Sequence, residues 1–224
     1  MTLIVLDLDG TLVDTAPDLL DCTNAILSDE GLAPVTRADL ADLVGQGARA
    51  MLDAAMTLRA SPPTQDRLDT LVPRFIERYT EEMPGRSRPF EGAEAMMDAL
   101  LGRGHRFAVC TNKLEGLARP LLDALGLSDR MNAICGPDTF DVRKPDPRHL
   151  RWTIERADGN SADAVMVGDS YNDIEVARRA GVPSIGVTFG YSREPIERLA
   201  PDAVIESLTE IDEALLARLL SSRR

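Results

Sequence analysis

The run Leu3-Ile4-Val5-Leu6-Asp7-Leu8-Asp9-Gly10-Thr11 constrains this chain more than any other stretch. Four consecutive apolar residues are too short for a buried helix. They predict a strand covered on both faces, the usual state of strands in a parallel sheet. The run ends on two aspartates one residue apart. Alternation along an extended chain points Asp7 and Asp9 the same way, and Gly10 allows a sharp backbone turn behind them. In open parallel sheets the ligand crevice lies beyond the carboxyl ends of the strands, so both carboxylates are expected there. The same grammar recurs where Arg106-Phe107-Ala108-Val109-Cys110 runs into Thr111, and where Ala164-Val165-Met166-Val167-Gly168 runs into Asp169. Asp173 follows four residues later, and Lys144 sits in a loop between the second and third of these strands.

Between residues 15 and 84 nothing reads as a strand. Leu19, Leu20, Ile26 and Leu27 repeat at helical intervals and Gly31 fits a C′ stop. Thr36 caps a short helix through Leu43, Ala48 to Leu58 is helical, and Gln65 to Met83 is a longer helix bent near Pro73. After the turn-rich segment Pro84 to Gly92, helices and strands alternate: helix 93–101, the strand before Thr111, helix 115–125, a strand Asn132 to Cys135, a loop Gly136 to Pro147, helix 148–157, the strand before Asp169, a helix from Asp173 to Ala180, and strands Ser184 to Thr188 and Ala203 to Ile205. This alternation predicts an α/β fold, a doubly wound (Rossmann-like) parallel sheet, formed by 1–14 and 85–224 with an all-helical insertion at 15–84.

With 224 residues and 44% apolar content the chain can bury a full core. A net charge of −12 argues against nucleic acid or an anionic membrane as partner, and no apolar run is long enough to span a bilayer. Three cysteines without metal-type spacing make the cytoplasm the expected compartment. An anionic substrate is repelled by the average field and needs local cations. Only Lys113 and Lys144 are lysine among 25 basic residues, which fits positions that require a compact ammonium rather than a planar fork.

If the site transfers a phosphoryl group, the residue types fit one chemistry. A carboxylate attacking a phosphate needs a metal ion, because two like charges 4 Å apart repel by ~4 kcal/mol at an effective dielectric of ~20. Asp7, Asp9 and Asp169 are the expected oxygen ligands of Mg²⁺. Asp7 is then the nucleophile and Asp9 the acid and base. Thr111 offers a hydroxyl and Lys144 a positive charge to the transferring group. Asp173, in the first turn of a helix, supports the metal shell. Gly45-Gln46-Gly47-Ala48-Arg49-Ala50 matches a dinucleotide fingerprint only in letters, since no strand precedes it. His105 and His149 read as structural, and Cys110 as core.

Together these residues resemble the haloacid dehalogenase superfamily of phosphohydrolases. Asp7 to Asp14 looks like its first motif, Thr111-Asn112-Lys113 its second, Arg143-Lys144-Pro145-Asp146-Pro147 its third, and Gly168-Asp169-Ser170-Tyr171-Asn172-Asp173 its fourth. The insertion at 15–84 is similar to the family's cap domain. An acid at Asp9 implies a phosphatase, because dehalogenases and phosphonate-cleaving members lack it. Thr111-Asn112-Lys113 with Gly186 to Tyr191 looks most like the phosphoglycolate phosphatases, which implies 2-phosphoglycolate as substrate. Glu91 and Pro137 depart from the family pattern without touching the catalytic set. The resemblance places Thr111, Asn112 and Lys144 on the substrate, and Gly45, Gly47 and Arg49 where the cap faces the site, as candidates for binding a small substrate's carboxylate. The expected partner is a small anionic phosphomonoester, and the chain a monomer or homodimer. Two alternatives stand beside this reading: a phosphatase or phosphomutase acting on another sugar or nucleotide phosphate, and a phospho-aspartate receiver module.

Overall fold

The structure is a computed structural model that describes residues 1–40, 43, 47–192 and 194–221. The first strand, β1 (Leu3–Leu6), is followed by a two-residue strand β2 (Val13–Asp14) and then by helices α1 (Ala16–Asp29), α2 (Arg37–Leu40), α3 (Ala48–Leu58) and α4 (Gln65–Glu82). The chain returns through β3 (Arg88–Pro89) and continues as α5 (Ala93–Leu101), β4 (Arg106–Cys110), α6 (Glu115–Ala124), β5 (Met131–Cys135), α7 (Pro137–Phe140) and α8 (Pro147–Arg156). It closes with β6 (Ala164–Gly168), α9 (Tyr171–Ala180), β7 (Ser184–Val187), β8 (Ala203–Ile205) and α10 (Glu213–Ser221).

Six strands form one sheet in the order β5-β4-β1-β6-β7-β8, and every pairing in it is parallel. The first strand is therefore central, with β4 on one side and β6 on the other. Leu6 pairs with Val109 and with Val167, so Thr111 and Asp169 both lie one step past the level of Asp7. Alternation within β1 divides its side chains between two cores. Ile4 and Leu6 join Phe107, Val109 and Val165 on one face, while Leu3 and Val5 join Ala108, Cys110 and Met166 on the other. Both faces are covered by helices, which is why the strand is apolar at every position.

The helical insertion packs around its own cluster, which includes Leu27, Leu52, Leu71, Phe75 and Tyr79. Its local stops follow from sequence. Gly31 follows α1 at φ +70, and at the start of α2 Thr36 and Asp39 cap one another, Thr36 N–H donating to the Asp39 carboxylate and Asp39 N–H to the Thr36 hydroxyl. Helix α4 runs continuously through Pro73. Two features were not expected. The antiparallel ribbon β2–β3, pairing Val13 with Pro89 and Asp14 with Arg88, joins the points where the insertion leaves and rejoins the sheet. Two-residue strands carry no readable alternation. The loop after β5 also contains the single turn α7. Among the described residues no helix is long and apolar enough to cross a membrane.

A test of the insertion's independence follows from its separate core. Phe75 is almost wholly buried there, so Phe75→Ala is expected to cost about 3–5 kcal/mol. Hydrogen exchange should show amides of α1, α3 and α4 losing protection while those of β1, β4 and β6 keep theirs. Equal loss in both regions would show a single cooperative unit instead.

Candidate active site

Three adjacent strand ends deliver the side chains that the sequence singled out. Asp7 follows β1, and its N–H donates to Val167 O at 2.9 Å. Its Oδ1 accepts from Leu8 N–H at 2.7 Å and lies 2.8 Å from Lys144 Nζ. The same ammonium reaches Asp173 Oδ1 at 2.6 Å. Lys144 is only 2% exposed. Its backbone is clamped by Asn112: Lys144 N–H donates to Asn112 Oδ1 at 2.9 Å, and Asn112 Nδ2 donates to Lys144 O at 3.2 Å. Asp173 sits in the first turn of α9, where its second oxygen accepts from the Ser170 N–H and hydroxyl in a capping arrangement.

Asp169 completes the cluster. Its Oδ2 accepts from Tyr191 N–H at 2.7 Å and its Oδ1 from the Thr11 hydroxyl at 3.3 Å. Two glycines leave room for it. Gly10 has φ +86, and a Cβ there would lie 2.5 Å from Asp169 Oδ2; a Cβ on Gly190 would lie 2.1 Å from Asp169 Cβ. Thr111, 1% exposed, continues β4 by donating its N–H to Cys135 O, and its hydroxyl accepts from Lys113 N–H.

Asp9 has a separate set of partners. Its Oδ1 accepts from the Thr15 hydroxyl at 2.7 Å, and Lys113 Nζ lies 3.0 Å and 3.2 Å from its two oxygens. One oxygen from each of Asp7, Asp169 and Asp173 lies within 4.8 Å of the others, and Asp9 is outside this group. Alternation predicts that Asp7 and Asp9 face the same way. The strand ends at Leu6, and Asp9 belongs to the turn that Gly10 closes, so its partners are Thr15 and Lys113 rather than Lys144. Lys113, which the sequence placed in the second motif and among the two lysines but gave no role, is part of the site through its contact with Asp9. It is 7% exposed, and its ammonium lies 4.6 Å from the centre of the Tyr79 ring.

The electrostatics follow from burial. Burial raises the Asp7 carboxyl to about 7, with the neighbouring Asp173 charge adding to it and Lys144 opposing it. Burial and then Asp173 raise Asp169 to about 8. Burial alone would lower Lys113 and Lys144, but the attraction of Asp9 for the first, and of Asp173 and Asp7 for the second, outweighs it and raises both. These three buried carboxyls have one ammonium among them, so ionising all three leaves negative charge uncompensated, and their donors are the hard oxygens that a divalent cation takes. Asp7, Asp169 and Asp173 thus form a group able to bind a divalent metal ion. The histidines stand apart from this chemistry. His105 Nδ1 accepts from Thr2 N–H, and His149, pushed down to about 4 by burial and then by Lys144, is neutral against Phe140.

The insertion faces the core across a cavity of about 300 Å³. Gly47 and Arg49 line it opposite Asn112 and Lys113. The Arg49 guanidinium pairs with Asp69 and donates to Gln65. Gly45 lies outside the described residues.

With this geometry in view, the comparisons with known proteins are consistent. The family model described as haloacid dehalogenase-like hydrolase matches residues 4–187. A phosphoglycolate phosphatase of Agrobacterium fabrum is 52% identical over 98% of this chain and 94% of its own length. One of Caulobacter vibrioides is 42% identical over 97% and 92%. Among solved structures, a predicted phosphoglycolate phosphatase from Haemophilus somnus superposes with a TM-score of 0.86 at 29% identity, covering 94% of this chain and 96% of its own. The chain belongs to the haloacid dehalogenase-like hydrolases, a hydrolase family whose match here includes the helical insertion, and that sets the receiver module aside.

The raised carboxyls give a sign to the pH dependence of the metal-free protein. Asp7 and Asp169 hold protons in the folded state that the unfolded chain, at 3.8, has released. Their contribution to stability is full below about 4 and is lost as pH rises through about 7 and about 8. Metal-free protein is therefore expected to melt at a lower temperature at pH 9 than at pH 7. A divalent cation should raise the melting temperature more at pH 9, where the cluster is fully charged. Equal melting temperatures at both pH values would contradict this.

Proposed function

We propose that this chain is a Mg²⁺-dependent phosphomonoester hydrolase that works through an aspartyl-phosphate on Asp7, with 2-phosphoglycolate as its substrate. The observation that carries the reading is the convergence of Asp7, Asp169, Asp173 and Lys144 at the ends of adjacent strands, in a chain 52% identical to a phosphoglycolate phosphatase. Asp7, Asp169 and Asp173 would hold the ion, and the helical insertion at 15–84 would serve as the cap. When bound, Mg²⁺ supplies the positive charge that lets a carboxylate approach a phosphate.

Leu8 N–H and Lys144 both engage Asp7 Oδ1, so Oδ2 is the oxygen presented to phosphorus. Its attack forms the Asp7 O–P bond as the bond from phosphorus to the leaving oxygen breaks. Asp9 passes a proton to that oxygen, while Lys113 and Thr15 hold its carboxylate in place. Water then attacks the phosphorus, Asp9 takes the water's proton, and the O–P bond to Asp7 breaks to release phosphate. Thr111 and Lys144 offer donors to the oxygens of the transferring group, where charge builds up, and Asn112 keeps Lys144 in register.

Phosphate release from a panel of phosphorylated metabolites, with and without Mg²⁺, tests this. The expected result is multiple turnover, fastest on 2-phosphoglycolate and lost on chelation. Asp7→Asn should lower kcat by about 10³-fold or more, and Asp9→Asn by about 10²–10⁴-fold. Turnover surviving in Asp7→Asn would exclude the aspartyl-phosphate. A sugar or nucleotide phosphate as the best substrate would replace 2-phosphoglycolate.

A further inference from the structure

The cavity beside Asp9 and a second one of about 370 Å³ beside Lys144 share three residues, Arg49, Asn112 and Arg143. Their positive side chains differ in what is left to them. Lys144 is bound by Asp7 and Asp173, Lys113 by Asp9, and Arg49 by Asp69 and Gln65. The Arg143 guanidinium has no hydrogen bond or ion pair among the described residues. Asp53, exposed on α3, lines the second cavity only and is not paired with it.

Arg143 is also well placed along the chain. It immediately precedes Lys144, whose backbone Asn112 holds on both its N–H and its carbonyl. Consecutive Cα atoms are about 3.8 Å apart, so Arg143 is anchored next to the residue whose ammonium touches the nucleophile. Among the described residues, an anionic substrate entering a chain of net charge −12 meets one uncompensated cation at the wall common to both cavities.

We propose that Arg143 is the specificity-determining residue of this site, selecting phosphomonoesters whose leaving group carries a carboxylate. The inference rests on the phosphatase reading and deepens it. A guanidinium offers two parallel N–H donors that match the two oxygens of a carboxylate. Its donors are not engaged by protein acceptors, so binding displaces only water. Arg49, lining the same cavity, already places its fork on protein acceptors.

The test compares 2-phosphoglycolate with ethyl phosphate, the same two-carbon ester with a methyl group in place of the carboxylate. For wild type, Arg143→Met and Arg143→Lys, the readout is the ratio of kcat/KM on the two esters, with KM and kcat resolved separately. Arg143→Met should lower that ratio at least about tenfold, mainly through KM on 2-phosphoglycolate, as expected for loss of a charge-assisted contact. Arg143→Lys should recover part of it, because an ammonium keeps the charge without the two-point fork. Arg143 is exposed, and a thermal melt checks that both variants fold. An unchanged ratio, or equal losses on both esters, would overturn the inference while leaving 2-phosphoglycolate as substrate. A wild-type enzyme that releases phosphate from ethyl phosphate but not from 2-phosphoglycolate would overturn the substrate reading and this inference together.

Discussion

The structure depends on two ammonium groups buried among four aspartates. Asp7, Asp9, Asp169 and Asp173 are all buried at one end of the sheet. Like charges about 4 Å apart cost roughly 4 kcal/mol per pair even at an effective dielectric of 20. Lys144 lowers that cost for Asp7 and Asp173, and Lys113 lowers it for Asp9. Neither lysine has solvent to fall back on, so each is fixed by its acids as firmly as it fixes them. Asp169 makes no direct ion pair among the described residues and feels the Lys144 charge only at longer range. Tyr191 N–H and the Thr11 hydroxyl hold it, and it carries the higher of the two raised carboxyl values. That imbalance leaves a site for a divalent cation at this point of the fold.

Parallel pairing brings these groups together from distant parts of the chain. Because Leu6 pairs with both Val109 and Val167, residues more than a hundred positions apart reach the same level without any long side chain bridging them. The central strand must be apolar on both faces to hold that position, and its alternate residues belong to two separate cores. The insertion is coupled to the same point. The Tyr191 hydroxyl accepts from the N–H groups of Thr15 and Ala16 at the start of α1 and donates to Asp14, while its own N–H holds Asp169. Thr15 in turn donates to Asp9. The segment by which the chain leaves the sheet is thus bonded to two of the site's acids.

Most of this architecture was legible where a local rule applies. Short β-branched and aliphatic runs located β1, β4 and β6, the Gly31 stop located the end of α1, and the acids fell at strand ends as expected. The scarcity of lysine was a true signal: both lysines are buried and paired with the site's aspartates. What escaped depended on contacts between distant segments. Asp9 lies beyond the last residue of β1, and its partner Lys113 is 104 positions away. Tyr191 ends a stretch the resemblance quoted without giving it a role, and only the fold shows that it spans Asp169 and Asp14.

The division of basic residues has a physical basis. A buried arginine presents five N–H donors in a rigid fork and needs acceptors for most of them. The space beside Asp9 offers two carboxylate oxygens and the face of Tyr79, and the space between Asp7 and Asp173 offers one oxygen from each. A compact ammonium is satisfied there and a guanidinium would leave donors unpaired in the interior, at about 1–3 kcal/mol for each lost partner. In water that penalty vanishes, and arginine's planar fork becomes an advantage on surface carboxylates such as Asp29, Asp69 and Asp146. Lysine therefore holds the acids at the sheet's end, while arginine serves where carboxylates meet water.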